Sequence, residues 1–356
     1  MSDKKETLVL LFAALISIGF LLGGVGLLGL FLMNFLSPPN STDNNLDKPH
    51  VASTEAPVTI TSNTLNKCDV PNLPKGTFTY GGSTTWAPIR RDVDSVLTKN
   101  CPQFGLVYYN PPNKKPGSGT GIELLTDNLL SFSQSSRSVK GEETQKALQK
   151  GLNLKEIPVA IDGIAVAVNP NLNIAGLTVA QLKDIYTGKI TNWKQVGGSD
   201  LAITPYTRTK EAGGTVEFFV EHVLNKEDFA SNVIYIGTTT EALRKLARNP
   251  GGIYYASAPE VVPQCSVKSL AIGNDASKLV PPYQEPLVSG SQCATQPNKL
   301  NSNAFRRGDY PITRKLFVIV KLNGQNDQKA GEAYANWLLT PQAQDLIEKA
   351  GFVRLQ

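Results

Sequence analysis

A chain of 356 residues with 41% hydrophobic residues and a net charge of +5 is long enough for two globular lobes and ordinary enough in composition to fold. Its lysines and arginines are scattered rather than gathered into a patch, which argues against a nucleic-acid partner. Four cysteines without a Cys-x-x-Cys pair, and only two histidines, argue against a metal site or a metal cofactor.

The chain opens on an uncharged apolar run at residues 7–36, longer than the roughly 20 residues that cross a bilayer. Lys4 and Lys5 stand just ahead of it, which favours an inside N-terminus. A cleavable signal has a shorter apolar core, of about 7–15 residues, and a small-residue cleavage site. No Ala-x-Ala site and no lipid-acceptor cysteine follow this run. Residues 1–6 are therefore expected to be a cytoplasmic tip and residues 7–36 a transmembrane anchor, with a signal as the second choice. The body would be periplasmic or otherwise extracytoplasmic. Residues 37–75 are rich in Pro, Ser, Thr, Asn and Asp and read as a linker. In an exported chain the four cysteines can oxidise, and three pairings are open. Closeness in sequence favours Cys68–Cys101 and Cys265–Cys293.

From Gly76 onward strand-like and helix-like segments alternate. "GTFTY", "FGLVYY", "GIAVAV", "LAITPY", "NVIYI", "GGIYYA" and "KLFVIV" read as strands. "LTVAQLKDIYTG" reads as a helix with Thr178 as N-cap, Gln181 closing a capping box and Gly188 as the stop. "TPQAQDLIEKAG" places Ala343, Leu346, Ile347 and Ala350 on one face, with Gly351 closing it. This alternation predicts an α/β fold with mostly parallel sheets.

Three turns share one chemistry. In "TYGGSTTWAPIRRDVDSVL" a strand runs into Gly, Ser and Thr and then into apolar residues at helical spacing, with Pro88 suited to a first helical turn. "PGSGTGIELLTDNLL" repeats this at Gly117–Gly121, and "RTKEAGGTVEFFVEHVL" repeats it at Gly213, Gly214 and Thr215. Each offers glycines for close approach, a hydroxyl and a helix start, a combination suited to an anion. One such turn is an ordinary cap; three in one α/β chain, with Arg208 ahead of the third, can converge on a small oxyanion beyond the strand ends. There is no G-x-x-x-x-G-K-[ST], no G-x-G-x-x-G and no G-x-S-x-G. His50 lies in the linker and His222 on an amphipathic helix, so no nucleophile has a base. The site binds an anion without evident means to transform it, and no enzyme is expected; a phosphatase would need the histidine or metal ligands that are missing.

Taken in order, "GGSTTWAP", "GSGTGI", "FSQSSRSVK", "IPVAIDGIAVAVNP", "LTVAQLKDIYTGKITNW", "EAGGTVEFF" and "YPITRKLFVIVK" resemble the phosphate-binding proteins of high-affinity phosphate ABC transporters, from about Gly76 to the C-terminus. The resemblance implies a two-lobed periplasmic-binding-protein clamshell of type II. Residues 76–162 and 311–356 would form the first lobe and residues 163–310 the second. It implies phosphate contacts from Thr84, Thr85, Ser118, Ser136, Gly213, Gly214 and Thr215, with Arg208 as the cation and Arg137, ranked below it, reaching either the ligand or a carboxylate. Some members carry an aspartate at the position of Ser136. That carboxylate accepts the proton of hydrogen phosphate, which sulfate lacks. Asp162 is the candidate replacement acceptor, or else an ion-pair partner that orders the hinge. Many members also have serine at the position of Gly213, and Arg208 stands one residue farther from the Gly-Thr pair than in the commonest spacing. The implied function is delivery of inorganic phosphate by a monomer to an ABC permease in the same membrane. The alternatives are an anchored phosphate sensor that feeds no transport, and a binder of another oxyanion such as sulfate or arsenate.

Overall fold

The computed structural model describes residue 68 and residues 70–209 and 213–355. The expected anchor and nearly all of the linker lie outside the described residues. Among those described, no helix is long and apolar enough to cross a membrane.

In chain order the strands are β1 (Gly76–Gly82), β2 (Phe104–Tyr108), β3 (Phe132–Ser135), β4 (Asn153–Val168), β5 (Gly176–Thr178), β6 (Thr204–Arg208), β7 (Ile234–Ile236), β8 (Gly252–Ser257), β9 (Lys268–Ser269), β10 (Ala271–Gly273) and β11 (Thr313–Leu322). Nine of them form one sheet in the order β2-β1-β3-β11-β4-β8-β6-β7, with β9 pairing β4. β5 and β10 form a separate pair.

The 16-residue β4 joins the two lobes. Residues 153–163 pair with β11, and Ile164–Val168 pair with β8. Its sequence records the change: the first half is partly exposed, and the run from Ile164 to Val168 is wholly buried, as a strand covered on both faces should be. Two large apolar clusters flank the crossing. One gathers Phe78, Trp86, Phe104, Phe132, Val318 and Tyr334. The other gathers Val166, Leu182, Tyr186, Trp193, Phe219 and Tyr255.

The expectation of mostly parallel sheets needs correction. β1 is parallel to β2 and β3, and β6 to β7 and β8. However, β11 runs antiparallel to both its neighbours, and β4 runs antiparallel to β8. Strands that carry the chain from one lobe to the other and back must oppose each other. "GIAVAV" is accordingly only the end of β4, and "LAITPY" starts its strand three residues late, at Thr204.

The helix after the first turn is also less regular than expected. It runs through a 3-10 turn at Thr84–Trp86, a short α segment at Ala87–Ile89, a π segment at Arg90–Asp94 and an α segment at Ser95–Asn100. Helix punctuation elsewhere follows the sequence. Thr178 and Gln181 exchange capping hydrogen bonds at 3.1 and 2.9 Å. Gly188 and Gly351 stop their helices at positive φ. Both expected disulfides, Cys68–Cys101 and Cys265–Cys293, are formed.

Candidate anion site between the lobes

The three turns meet. In the first, Ser83 caps the 3-10 turn and accepts from the Thr85 N–H at 3.3 Å. Its hydroxyl donates to Ser136 Oγ at 2.9 Å. Ser136 Oγ lies 3.3 Å from Ser118 Oγ, and the Ser136 N–H donates to Ser118 Oγ at 3.1 Å. Ser83, Ser118 and Ser136 are fully buried. The third turn closes on them from the other lobe. A β-carbon built on Gly214 would collide with Ser136 Oγ and come within 2.7 Å of Ser118 Oγ, so any other residue would have to push these buried hydroxyls aside. Gly213 sits at φ +119°, a glycine conformation, with Thr84 Oγ1 3.3 Å from where its β-carbon would stand. Thr85 and Thr215 bring their hydroxyls to 3.5 Å across the cleft.

Two nine-residue helices begin here, Ser118–Thr126 and Gly214–His222, and neither N-terminus has a side-chain cap. Their first N–H groups keep the partial positive charge that attracts an anion. Neutral donors therefore arrive from both lobes: hydroxyls, backbone N–H groups and helix ends.

Two of the charged candidates take the ion-pair alternatives expected for them: Arg137 meets carboxylates and Asp162 meets an arginine. Arg137 is 6% exposed and held by carboxylates. Its Nη1 and Nη2 donate to Glu143 at 2.9 and 2.7 Å, and its Nε donates to Glu217 at 2.5 Å. Burial lowers the pKa of this guanidinium, but Glu143 and Glu217 outweigh that and raise it. Arg137 thus joins elements around the site through Glu143 and Glu217. Arg208 ends β6. Its Nε is buried without a hydrogen-bond partner, and its charge is felt by Tyr254, Tyr255 and Glu260.

Asp162 and Arg314 were the least legible pair. They are opposite residues on β4 and β11, 1% and 5% exposed. One Asp162 oxygen accepts from Arg314 Nε and Nη2 at 2.9 and 2.8 Å, and the other accepts from Ser257 Oγ at 2.6 Å. Burial raises the pKa of this carboxyl, while Arg314, Ser257 and the Ala258 N–H oppose the rise. Arg314 Nη2 also donates to Thr85 Oγ1 at 3.0 Å and to Thr215 Oγ1 at 2.8 Å, reaching one hydroxyl from each lobe. Sequence reading missed Ser83 and Arg314. Ser83 sits in the first turn, directly before the two threonines expected to bind. Arg314 lies about 100 residues beyond the last turn, and only the register of β4 and β11 brings it back.

A groove of about 910 Å³ between the lobes is lined by Arg137, Lys140, Glu217, Phe218 and Arg314, among others. Arg314, which donates to the hydroxyls of Thr85 and Thr215, also lines this groove.

Known proteins agree with this architecture. The phosphate-binding protein PstS of Staphylococcus haemolyticus is 29% identical over 283 residues, covering 78% of this chain and 81% of the relative. The PstS of Staphylococcus aureus is also 29% identical over 283 residues, covering 78% of each chain. A Clostridium perfringens chain solved with bound phosphate superimposes with TM-score 0.62 at 24% identity, covering 79% of this chain and all of that one. An ABC-type phosphate transport receptor from Vibrio cholerae gives TM-score 0.61 at 23% identity over 78% of this chain and 99% of its own. The profile of the PBP superfamily domain matches residues 69–342, most of the described chain, and the chain therefore belongs to the PBP superfamily.

Proposed function

We propose that the chain binds inorganic phosphate between its lobes and delivers it to an ABC permease in the cytoplasmic membrane. One observation carries the reading: Ser118 and Ser136 of one lobe close against Gly214 of the other, beside two uncapped helix N-termini. A tetrahedral oxyanion bound there touches both lobes and favours the closed arrangement by differential affinity. Thr84, Thr85, Ser118, Ser136, Gly213, Gly214 and Thr215 are the proposed ligand contacts. The relatives named phosphate-binding protein PstS support phosphate among the oxyanions.

A site in which neutral donors outnumber charges suits a carrier, because most of its contacts hold the ion without an ion pair that must break at release. The chain acts outside the cytoplasm, as a monomer, with residues 7–36 as its anchor. It carries out no chemistry on the ion.

Uptake of radiolabelled phosphate at low external concentration tests this role. Deleting the gene should abolish high-affinity uptake, and restoring the full chain should recover it. Unchanged uptake, with phosphate still bound by the purified chain, would instead support an anchored sensor. Retention of sulfate or arsenate in place of phosphate would change the ligand.

A further inference from the structure

The geometry points to Arg314 as the cation of the bound oxyanion, held in place by Asp162, which acts as a positioning residue and not as the acceptor of the ligand's proton. This rests on the oxyanion reading above.

Arg314 is almost wholly buried, and a buried guanidinium is retained at low cost only where its N–H groups are met. Nε and Nη2 are met, but Nη1 is buried without a partner. The partners of Nη2 place this end of the guanidinium at the point where the lobes touch, since Thr85 comes from the first turn and Thr215 from the third. An arginine fork presents adjacent nitrogens to adjacent oxygens of a tetrahedral anion.

The same contacts fix the polarity of the site. Arg314 Nη2 has two hydrogens and three acceptors in reach, Asp162 and the hydroxyls of Thr85 and Thr215, and shares them among these oxygens. A hydroxyl that accepts from this hinge arginine keeps its own proton for an anion or, at 3.5 Å, for the other threonine.

Asp162 is spent in this arrangement. Ser257, the Ala258 N–H and Arg314 take up its oxygens. Arg314 stands between the carboxylate and the threonine hydroxyls. Among the described residues no carboxylate hydrogen-bonds to the hydroxyls of Ser83, Thr85, Ser118, Ser136 or Thr215.

The test is calorimetric titration of the full chain and of Arg314→Gln, Arg314→Lys, Asp162→Asn and Thr215→Val with phosphate and with sulfate at neutral pH. Arg314→Gln should lose about a hundredfold in phosphate affinity, the scale of a lost charge-assisted contact and its disordered neighbours. Arg314→Lys should recover part of that loss, keeping the charge but not the fork. Asp162→Asn should weaken phosphate and sulfate by the same factor, about tenfold, and leave their ratio unchanged; an acceptor of the ligand's proton would change that ratio. If Arg314→Gln fails to fold, Thr215→Val keeps Arg314 and should still cost about tenfold through the lost donor. The inference is overturned if Arg314→Gln or Thr215→Val binds phosphate within threefold of the unmodified chain, or if Asp162→Asn shifts the phosphate-to-sulfate ratio tenfold. Failure of the unmodified chain to bind any oxyanion would overturn the function reading and this inference together. Normal wild-type binding with an unaffected Arg314→Gln would overturn the inference alone.

Discussion

Arg137 and Glu217 join the two lobes through a 2.5 Å hydrogen-bonded ion pair. Arg137 directly follows Ser136, and Glu217 lies two residues past Thr215. Arg137 also holds Glu143, on the Gly141–Gln149 helix of its own lobe. Glu217 belongs to the Gly214–His222 helix, whose Phe218 and Phe219 pack into the other core. Parting the lobes therefore breaks the Glu217 bond and keeps the Glu143 bonds. Glu217→Gln should weaken phosphate binding about tenfold, or about 1.4 kcal/mol, and nearly all of the change should appear in the dissociation rate. Stopped-flow release of phosphate measures it; an unaltered dissociation rate would show that the pair does not hold the lobes together.

Gly214 offers a sharper steric test. An added methyl group would strike Ser136 and Ser118 across the cleft. Overpacking of this kind costs typically about 1–3 kcal/mol, and here it falls on closure alone. Gly214→Ala should thus lose about 10- to 100-fold in phosphate affinity while its melting temperature without ligand stays at the wild-type value. Equal affinity, or a drop in melting temperature to match the affinity loss, would contradict contact between the lobes at this residue.

A buried network behind the first turn predicts pH dependence. Tyr80 and Tyr334 donate to the two oxygens of Asp94 at 2.8 and 2.7 Å. Gln134 Nε2 donates to the Tyr334 hydroxyl, and Arg90 links Gln134 Oε1 to the Ser83 carbonyl. Burial pushes the Asp94 carboxyl up to about 7, against the bonds from Tyr334 and Tyr80. Between about pH 4, where an unfolded aspartate titrates, and pH 7, the folded chain holds a proton that the unfolded chain releases. Stability contributed by Asp94 is full below that window, falls as pH rises through it and is lost above pH 7. Denaturant unfolding of the wild type minus Asp94→Asn should show this decline, on the order of a few kcal/mol. A flat difference from pH 4 to 8 would contradict it.

The two disulfides close spans of 33 and 28 residues. Loops of that length stabilise by roughly 3–4 kcal/mol each in the chain-entropy account. Cys68→Ser with Cys101→Ser should lower the melting temperature by several degrees and leave phosphate affinity within about twofold, because this disulfide ties the chain before β1 to the end of the Ser95–Asn100 helix and not to the hydroxyl cluster. A large affinity loss at unchanged melting temperature would be the contrary result.

The sequence made the local parts of this molecule legible. Gly213 and Gly214 before an apolar helix, Thr178 with Gln181, and Gly188 as a stop are short-range signals, and each reads the same in the structure. Both disulfides followed from closeness along the chain. What stayed hidden depends on strand register. β4 reads as a short apolar strand because its first half alternates weakly, yet it pairs over its whole length with β11 and β8. That pairing sets Arg314 opposite Asp162. Asp162 was visible as a hinge carboxylate, but its partner, 152 residues away, was not. Arg137 illustrates the same limit: a carboxylate partner is expected from the sequence as an alternative to the ligand, and the fold shows that the partners are Glu143 and Glu217.

The central claim is that both lobes close on phosphate. Its most direct test is calorimetric titration of the full chain in detergent micelles, with carried-over anion removed by partial unfolding and refolding, against phosphate and then sulfate at pH 7. Tight binding of one phosphate per chain, abolished or strongly weakened by Gly214→Ala, is the predicted result. No heat from phosphate, or binding that Gly214→Ala leaves untouched, would contradict a phosphate site built between the lobes.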